Sequence, residues 1–303
     1  MTKEQVLEKT SESIEYAKKR GSTVSFVLED ASRTPVEEIL QIFETAIKAG
    51  ADQLVIADTV GFLRPLSTRY LISHIREGLS KLSTKEIPLS VHCHNDFGLA
   101  TANTLAAVEE GVTYVHTCIA GFGERAGVAP LEEVVVALEL LYDIDTGVDM
   151  KKLHRLSQLA EKSFALPIQY HKPIIGENSF SYEVDEHVHG MLSHPLIYEP
   201  FPPEIIEREI TFYFGRQTGR HLVENRLASA GIKATPWQID EIVKRIRSIQ
   251  ERLDKGGTQM TFYQIKKLMK ELRRGFTEED FWKIVEQVTK QKPKLQKEKA
   301  SST

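Results

Sequence analysis

Between residues 24 and 142 short apolar runs alternate with longer stretches whose apolar residues recur at helical spacing. The runs are Val24 to Leu28, Gln53 to Ala57, Leu89 to Cys93 and Thr113 to Ile119. The periodic stretches between and after them cover about 35–49, 66–81, 99–110 and 131–142. Short apolar strands separated by amphipathic helices predict a parallel sheet covered by helices. A further helix precedes the series: Thr2 with Gln5 forms a capping box, Val6, Ile14 and Ala17 keep helical spacing, and Gly21 stops it. Another helix, at about 149–164, closes the series.

Beyond that point the pattern changes. Residues 167–202 are rich in Pro and His and read as an extended connector. Small helices follow. Thr235-Pro236 starts one with Pro at its first position, Thr261 with Gln264 caps a second, and Thr277 with Asp280 starts a third. The expected organisation is a strand-helix domain over residues 1–165, a linker with helical subdomains over 166–290, and a disordered tail over 291–303. The strand-helix units are the one internal repeat.

Composition narrows the function classes. The 303 residues are 41% hydrophobic and 27% charged with a formal net charge of −4, so no strongly basic surface for nucleic acid is expected. The Lys-rich tail from Lys290 to Lys299 reads as a solvated end. No run reaches the ~20 apolar residues of a membrane span, and no leading segment has the form of a secretory signal. Cys93 and Cys118 both fall in strand-like runs and are expected to be buried, reduced thiols of a cytoplasmic protein.

Chemistry-bearing residues gather at the same end of each strand: Glu29 to Thr34, Asp58 to Gly61, His92 to Gly98, and Gly121 to Gly127. The carboxyl ends of parallel strands are where such folds keep their sites. The most telling pair is His92 and His94. Side chains two apart on a strand share a face, and at ~3.3 Å per residue their backbones stand roughly 7 Å apart, close enough for two imidazoles to share a divalent ion.

Three motifs in order, Val91 to Asn103, Gly121 to Gly127 and Gly176 to Phe180, resemble the 2-isopropylmalate, homocitrate and citramalate synthases. The resemblance runs from residue 2 to about 225. It implies a metal-dependent TIM-barrel acyltransferase that condenses acetyl-CoA with a 2-oxo acid and then hydrolyses the thioester. It also implies His92 and His94 as ligands of a divalent ion (Zn, Mn or Mg), Glu29, His187 and Tyr198 as catalytic residues, and Thr59 as an oxo-acid contact. Arg125 is expected either to touch substrate or to fix its loop through an ion pair with Glu124. His187 is expected to reach the site of a partner subunit in a homodimer.

Departures from the family pattern are informative. Where the isopropylmalate type carries an Asn after Gly-Glu-Arg-Ala-Gly, this chain has Val128, which cannot ligate. The following Ala129-Pro130-Leu131 resembles homocitrate synthases of lysine biosynthesis. The usual Ser-Gly before the catalytic His is Val184-Asp185, followed by Glu186. Nothing matches the family's opening Arg-Asp/Glu-Gly strand, which supplies a carboxylate ligand. The expected fold is therefore a partial TIM barrel, its last four strand-helix units, followed by small helical subdomains; the chain is read as a fragment of a longer gene, one half of a split enzyme, or a chain that pairs halves by self-association. No leucine-sensing domain is expected after residue 225. A related metal-dependent lyase or aldolase, and a non-catalytic partner subunit, are the alternative readings.

Overall fold

The computed structural model describes residues 1–82, 86–254, 258–272 and 278–290. The described chain forms two compact units, one comprising residues 1–182 and 195–211, the other 183–194 with everything from 212 onward. Residues 166–182 and 195–211, read from the sequence as linker, cluster with the first unit. The tail over 291–303 and the helix start at Thr277 lie outside the described residues.

The first unit opens with helix α1 (Lys3–Lys18), whose Thr2 and Gln5 form the expected capping box: each backbone N–H donates to the other's side chain, at 3.4 and 2.8 Å. Four strand-helix units follow: β1 (Ser25–Leu28) and α2 (Val36–Lys48), β2 (Gln53–Asp58) and α3 (Pro65–Leu82), β3 (Leu89–Cys93) and α4 (Ala100–Glu109), β4 (Tyr114–His116) and α5 (Leu131–Leu141). All strand pairs are parallel, in the order β1-β2-β3-β4. Helix α6 (Leu153–Phe164) comes next.

The register decides what each face of the sheet carries. Phe26, Leu54, Leu89 and Val91, Val115, and the next residues of the same parity, Leu28, Ile56 and Cys93, lie on one face. They pack with Ile14, Ile39, Phe43, Ile72, Ile75, Ala107 and Val134 from the helices into one core. The alternate positions form the other face: Val27, Val55, Ala57, Ser90, His92, Tyr114 and His116. At the two edges that face is open, with Val27 50% and Tyr114 55% exposed. The helix-covered face holds the sheet together; the other is free to carry polar chemistry. A second cluster, Val135, Val136, Leu153, Phe180 and Ile206, joins the far side of α5 to α6 and the following segment.

Two expectations are corrected. The strand expected over Thr113 to Ile119 is only three residues long, because the backbone turns to meet the next loop: Cys118 N–H donates to the Ala129 carbonyl and its own carbonyl accepts from Leu131. Cys118 is consequently exposed, whereas Cys93 is fully buried and burial pushes its thiol up to about 12. Both cysteines are free.

The second unit holds α7 (Asp185–Ser193), α8 (Arg220–Ser229), α9 (Pro236–Asp254), α10 (Thr258–Leu272) and α11 (Glu278–Thr289). Thr235 and Gln238 form a capping box ahead of Pro236. Thr261 lies inside α10 rather than at its start. Val223, Ile239 and Val243 form the unit's small core. Among the described residues no helix is long and apolar enough to cross a membrane.

Candidate functional site

The parallel topology brings the polar ends of all four strands to one end of the sheet, and long-range contacts then tie the loops together. Asp30 N–H donates to Thr59 Oγ1 at 2.7 Å, joining the loop after β1 to the loop after β2. Arg125 donates Nε and Nη2 to the two oxygens of Asp96, both at 2.8 Å, and Nη2 also to the Thr59 carbonyl at 2.6 Å. One guanidinium thus joins the loops after β2, β3 and β4. Its planar donor fork suits the bidentate carboxylate. The hydrogen bond from Arg125 holds the Asp96 carboxyl below the usual carboxylate range.

Close approach of these loops requires glycine at two points. At Gly61 a Cβ would fall 2.9 Å from the Asp96 nitrogen and 3.0 Å from the His94 carbonyl, and its φ of +61° is left-handed. Gly127, at φ +89°, has its Cα face against the Gly121 carbonyl, leaving no room for a Cβ. Asp30, Ala120 and Arg125 take left-handed backbone although none is glycine, a conformation that costs of order 1 kcal/mol or more each and persists where surrounding contacts enforce it.

His92 and His94 project from the same side of β3. Their Nε2 atoms lie 3.3 Å apart, with the ring planes at 70°. Two nitrogens each ~2.0–2.1 Å from one ion at a tetrahedral angle would stand about 3.3 Å apart. Burial, then the neighbouring His94 and His116, hold His92 below the usual imidazole value, which favours the neutral ring a metal needs. His94 Nδ1 is buried without a hydrogen-bond partner. The pair therefore fits two ligands of a divalent ion. Among the described residues no group of three or more His, Cys, Asp or Glu converges to complete a site. The nearby carboxylates have structural partners: Asp58 accepts from Phe62 and Leu63 N–H, both at 3.0 Å, Asp30 pairs with Arg33, and Asp96 with Arg125.

Val128 is buried and bridged to His94, while Asn95 N–H donates to the Gly127 carbonyl and Ala129 N–H to the Cys93 carbonyl. The Gly-rich loop thus lies along the carboxyl end of β3, and at the position opposite His94 it offers an isopropyl group. Glu29 is exposed at the end of β1. Tyr198 is 39% exposed in the same unit, its carbonyl accepting from the Tyr182 hydroxyl at 3.3 Å. His187 is half-buried on α7, in the other unit.

Sequence reasoning passed over His116. It pairs in register with His92, their ring centroids are 5.5 Å apart, and burial holds it too below the usual imidazole value. The signal was present as a His near the end of the adjacent strand, but only the register shows that it shares a face with His92.

A parallel strand-helix layer with imidazoles, carboxylates and a guanidinium gathered at the carboxyl ends of its strands defines the class. The chain belongs to the HMGL-like family, whose model matches residues 1–160; a second model, homocitrate synthase post-HMGL domain-like, matches residues 174–254. The family is generally dependent on a divalent metal. The chain is 42% identical to the 2-isopropylmalate synthase of Methanocaldococcus jannaschii over 255 residues, 83% of this chain and 48% of that protein. It is 39% identical to the (R)-citramalate synthase of the same organism over 246 residues, 81% of this chain and 49% of that one. The chain therefore spans about half the length of these curated relatives. Among solved structures it is similar to a hydroxymethylglutaryl-CoA lyase from Pseudomonas aeruginosa, with 22% identity, a TM-score of 0.48, and 54% and 56% of the two chains covered.

Proposed function

We propose that this chain forms part of an enzyme that condenses acetyl-CoA with a 2-oxo acid, in the manner of 2-isopropylmalate and citramalate synthases. The observation that carries the reading is the His92–His94 pair, with Nε2 atoms 3.3 Å apart at the carboxyl end of a parallel strand. The match of residues 174–254 to a post-HMGL domain of homocitrate synthase favours a synthase over a lyase.

His92 and His94 would hold a divalent ion, which would supply Lewis-acid chemistry at the keto oxygen of the oxo acid. Glu29, exposed at the end of β1, takes a proton from the acetyl methyl group. The resulting carbon nucleophile bonds to the keto carbon, and the keto oxygen ends as a hydroxyl after gaining a proton. Water then displaces CoA from the thioester. His187 and Tyr198 serve in these proton transfers. Thr59 lies against the oxo acid, and Arg125 holds the three loops that frame it.

The second half of the assembly is part of the same proposal. Among the described residues β1 and β4 are each paired on one side only, and the face carrying His92 is open at both edges. A complementary set of four strand-helix units would pair both edges and close a barrel of eight strands. Two such assemblies would form a dimer in which each His187 serves the neighbour's site.

The test is to co-express the chain with the amino-terminal half of a relative and follow free CoA released from acetyl-CoA with several 2-oxo acids. Release that depends on a 2-oxo acid, and that falls ~100- to 10,000-fold in His187→Ala, is the expected result. Mixing Glu29→Ala with His187→Ala chains should restore part of the rate. A completed assembly that releases no CoA with any 2-oxo acid refutes the reading.

A further inference from the structure

The carboxylate that stands where the family pattern has glycine ahead of His187 is engaged elsewhere than on His187. Asp185, the first residue of α7, reaches α8: its Oδ1 accepts the backbone N–H of His221 at 3.1 Å, and its Oδ2 lies 2.8 Å from His221 Nδ1. That backbone N–H belongs to the first turn of α8, where donors have no partner inside their own helix. The N-cap position of α8 is Gly219, which has no side chain to cap with and makes no side-chain cap hydrogen bond. A Cβ built at Gly219 would overlap the Asp185 carboxylate. Asp185 thus fills the space, and does the hydrogen bonding, of the missing cap of another helix.

A second carboxylate repeats the arrangement. Glu183 Oε1 accepts from Gln217 N–H at 2.8 Å and would meet a Cβ at Gly215. The segment receiving both carboxylates is itself anchored. Thr218 is fully buried, its hydroxyl accepts from Gly215 N–H at 2.7 Å, and its carbonyl accepts from Arg247 Nε on α9 at 2.8 Å. His189 lies one turn after Asp185, and its ring lies against His221 with centroids 4.1 Å apart and planes tilted at 34°. His187 lies about 200° round the helix from Asp185.

We propose that Asp185 is a positioning residue: by capping α8 from α7 it locks the His187-bearing helix onto the α8–α9 base of its own unit, and so sets where His187 stands. The functional arm rests on the synthase reading above. The lock itself does not. Asp185 is a charged strut at the start of the helix that carries His187.

The test separates a lock from ordinary helix capping. Asp185→Ala removes both contacts. Asp185→Ala combined with Gly219→Asp returns a capping carboxylate to α8 from its own N-cap position and leaves α7 untethered. Hydrogen–deuterium exchange of the full chain should show amides of α7 exchanging at least ~10-fold faster in the single variant. In the double variant α8 should recover and α7 should not. Unchanged exchange in α7, or recovery of both helices in the double variant, overturns the proposal. In the completed assembly, both variants should lose CoA release at saturating substrate with little change in KM, and Asp185→Asn, which keeps one acceptor for the His221 N–H, should retain part of it. Full activity in the double variant overturns positioning. If wild type releases no CoA with any 2-oxo acid, the synthase reading falls and the exchange result alone decides the lock.

Discussion

The two units of this protein use histidine in opposite ways. In the sheet unit, His92 and His94 point ring nitrogens at each other, half-buried, and among the described residues no carboxylate is hydrogen-bonded to either ring. In the helical unit, His221 points Nδ1 at the Asp185 carboxylate, and the His189 ring lies tilted against it. Two lone pairs aimed at one point suit a shared cation. A ring nitrogen held by a carboxylate fixes a tautomer and an orientation. The residue type is the same, but the neighbour decides the chemistry.

The largest effect expected from breaking this contrast is on metal binding. Titrating the chain with zinc, manganese and magnesium should give binding that His92→Ala or His94→Ala abolishes and His189→Ala leaves intact. With only two protein ligands the binding should be weak, since catalytic sites normally have three. Tight binding that survives both substitutions would remove the assignment.

Next in size is a backbone change in the helical unit. Gly219→Ala drives a methyl group into the Asp185 carboxylate, and overpacking of this kind costs typically 1–3 kcal/mol. Both tryptophans, Trp237 and Trp282, belong to this unit, so their fluorescence follows its unfolding selectively. The denaturation midpoint read by tryptophan should fall while the helix signal of the sheet unit stays. A smaller loss, about 0.5–2 kcal/mol by the same probe, is expected for Asp185→Ala, the usual range for a helix cap.

The smallest effect is the pH dependence of the sheet unit. Burial holds His92, His116 and His154 below the usual imidazole value, with neighbouring imidazoles adding for His92 and Arg208 for His154. Each takes up its proton more readily in the unfolded chain, at about pH 6.5. Their contribution to stability is complete above that pH and is lost as pH falls through it toward the folded values. Melting followed by circular dichroism should therefore decline below about pH 6.5. A midpoint flat from pH 7.5 to 5.5 would contradict the burial of these rings.

Much of the sheet unit was legible in the sequence because its signals are local. Alternating apolar runs and helical spacing placed β1 to β4 and α1 to α6 within a few residues, and the Thr2–Gln5 box placed the start of α1. The short β4 was the exception. Its apolar run continues to Ile119, but hydrogen bonds of Cys118 to Ala129 and Leu131, some ten residues on, pull the chain out of the sheet and expose the thiol. Arg125 shows the same limit. From sequence Arg125 reads equally as a substrate contact or as one half of an ion pair fixing its loop; the structure pairs it with Asp96 and the Thr59 carbonyl, 29 and 66 residues away.

What the sequence by itself determined is whatever depends on periods of two and 3.6: which residues share a strand face, which helix side is apolar, and hence that His92 and His94 point the same way. The tertiary structure alone decided which strands lie side by side, and so that His116 joins His92, that Val128 lies against His94, and that Asp185 caps a helix 36 residues away. Those pairings follow from burying the whole apolar face of the sheet and from satisfying every backbone donor at a helix end, demands set by the folded chain and invisible to any short stretch of it.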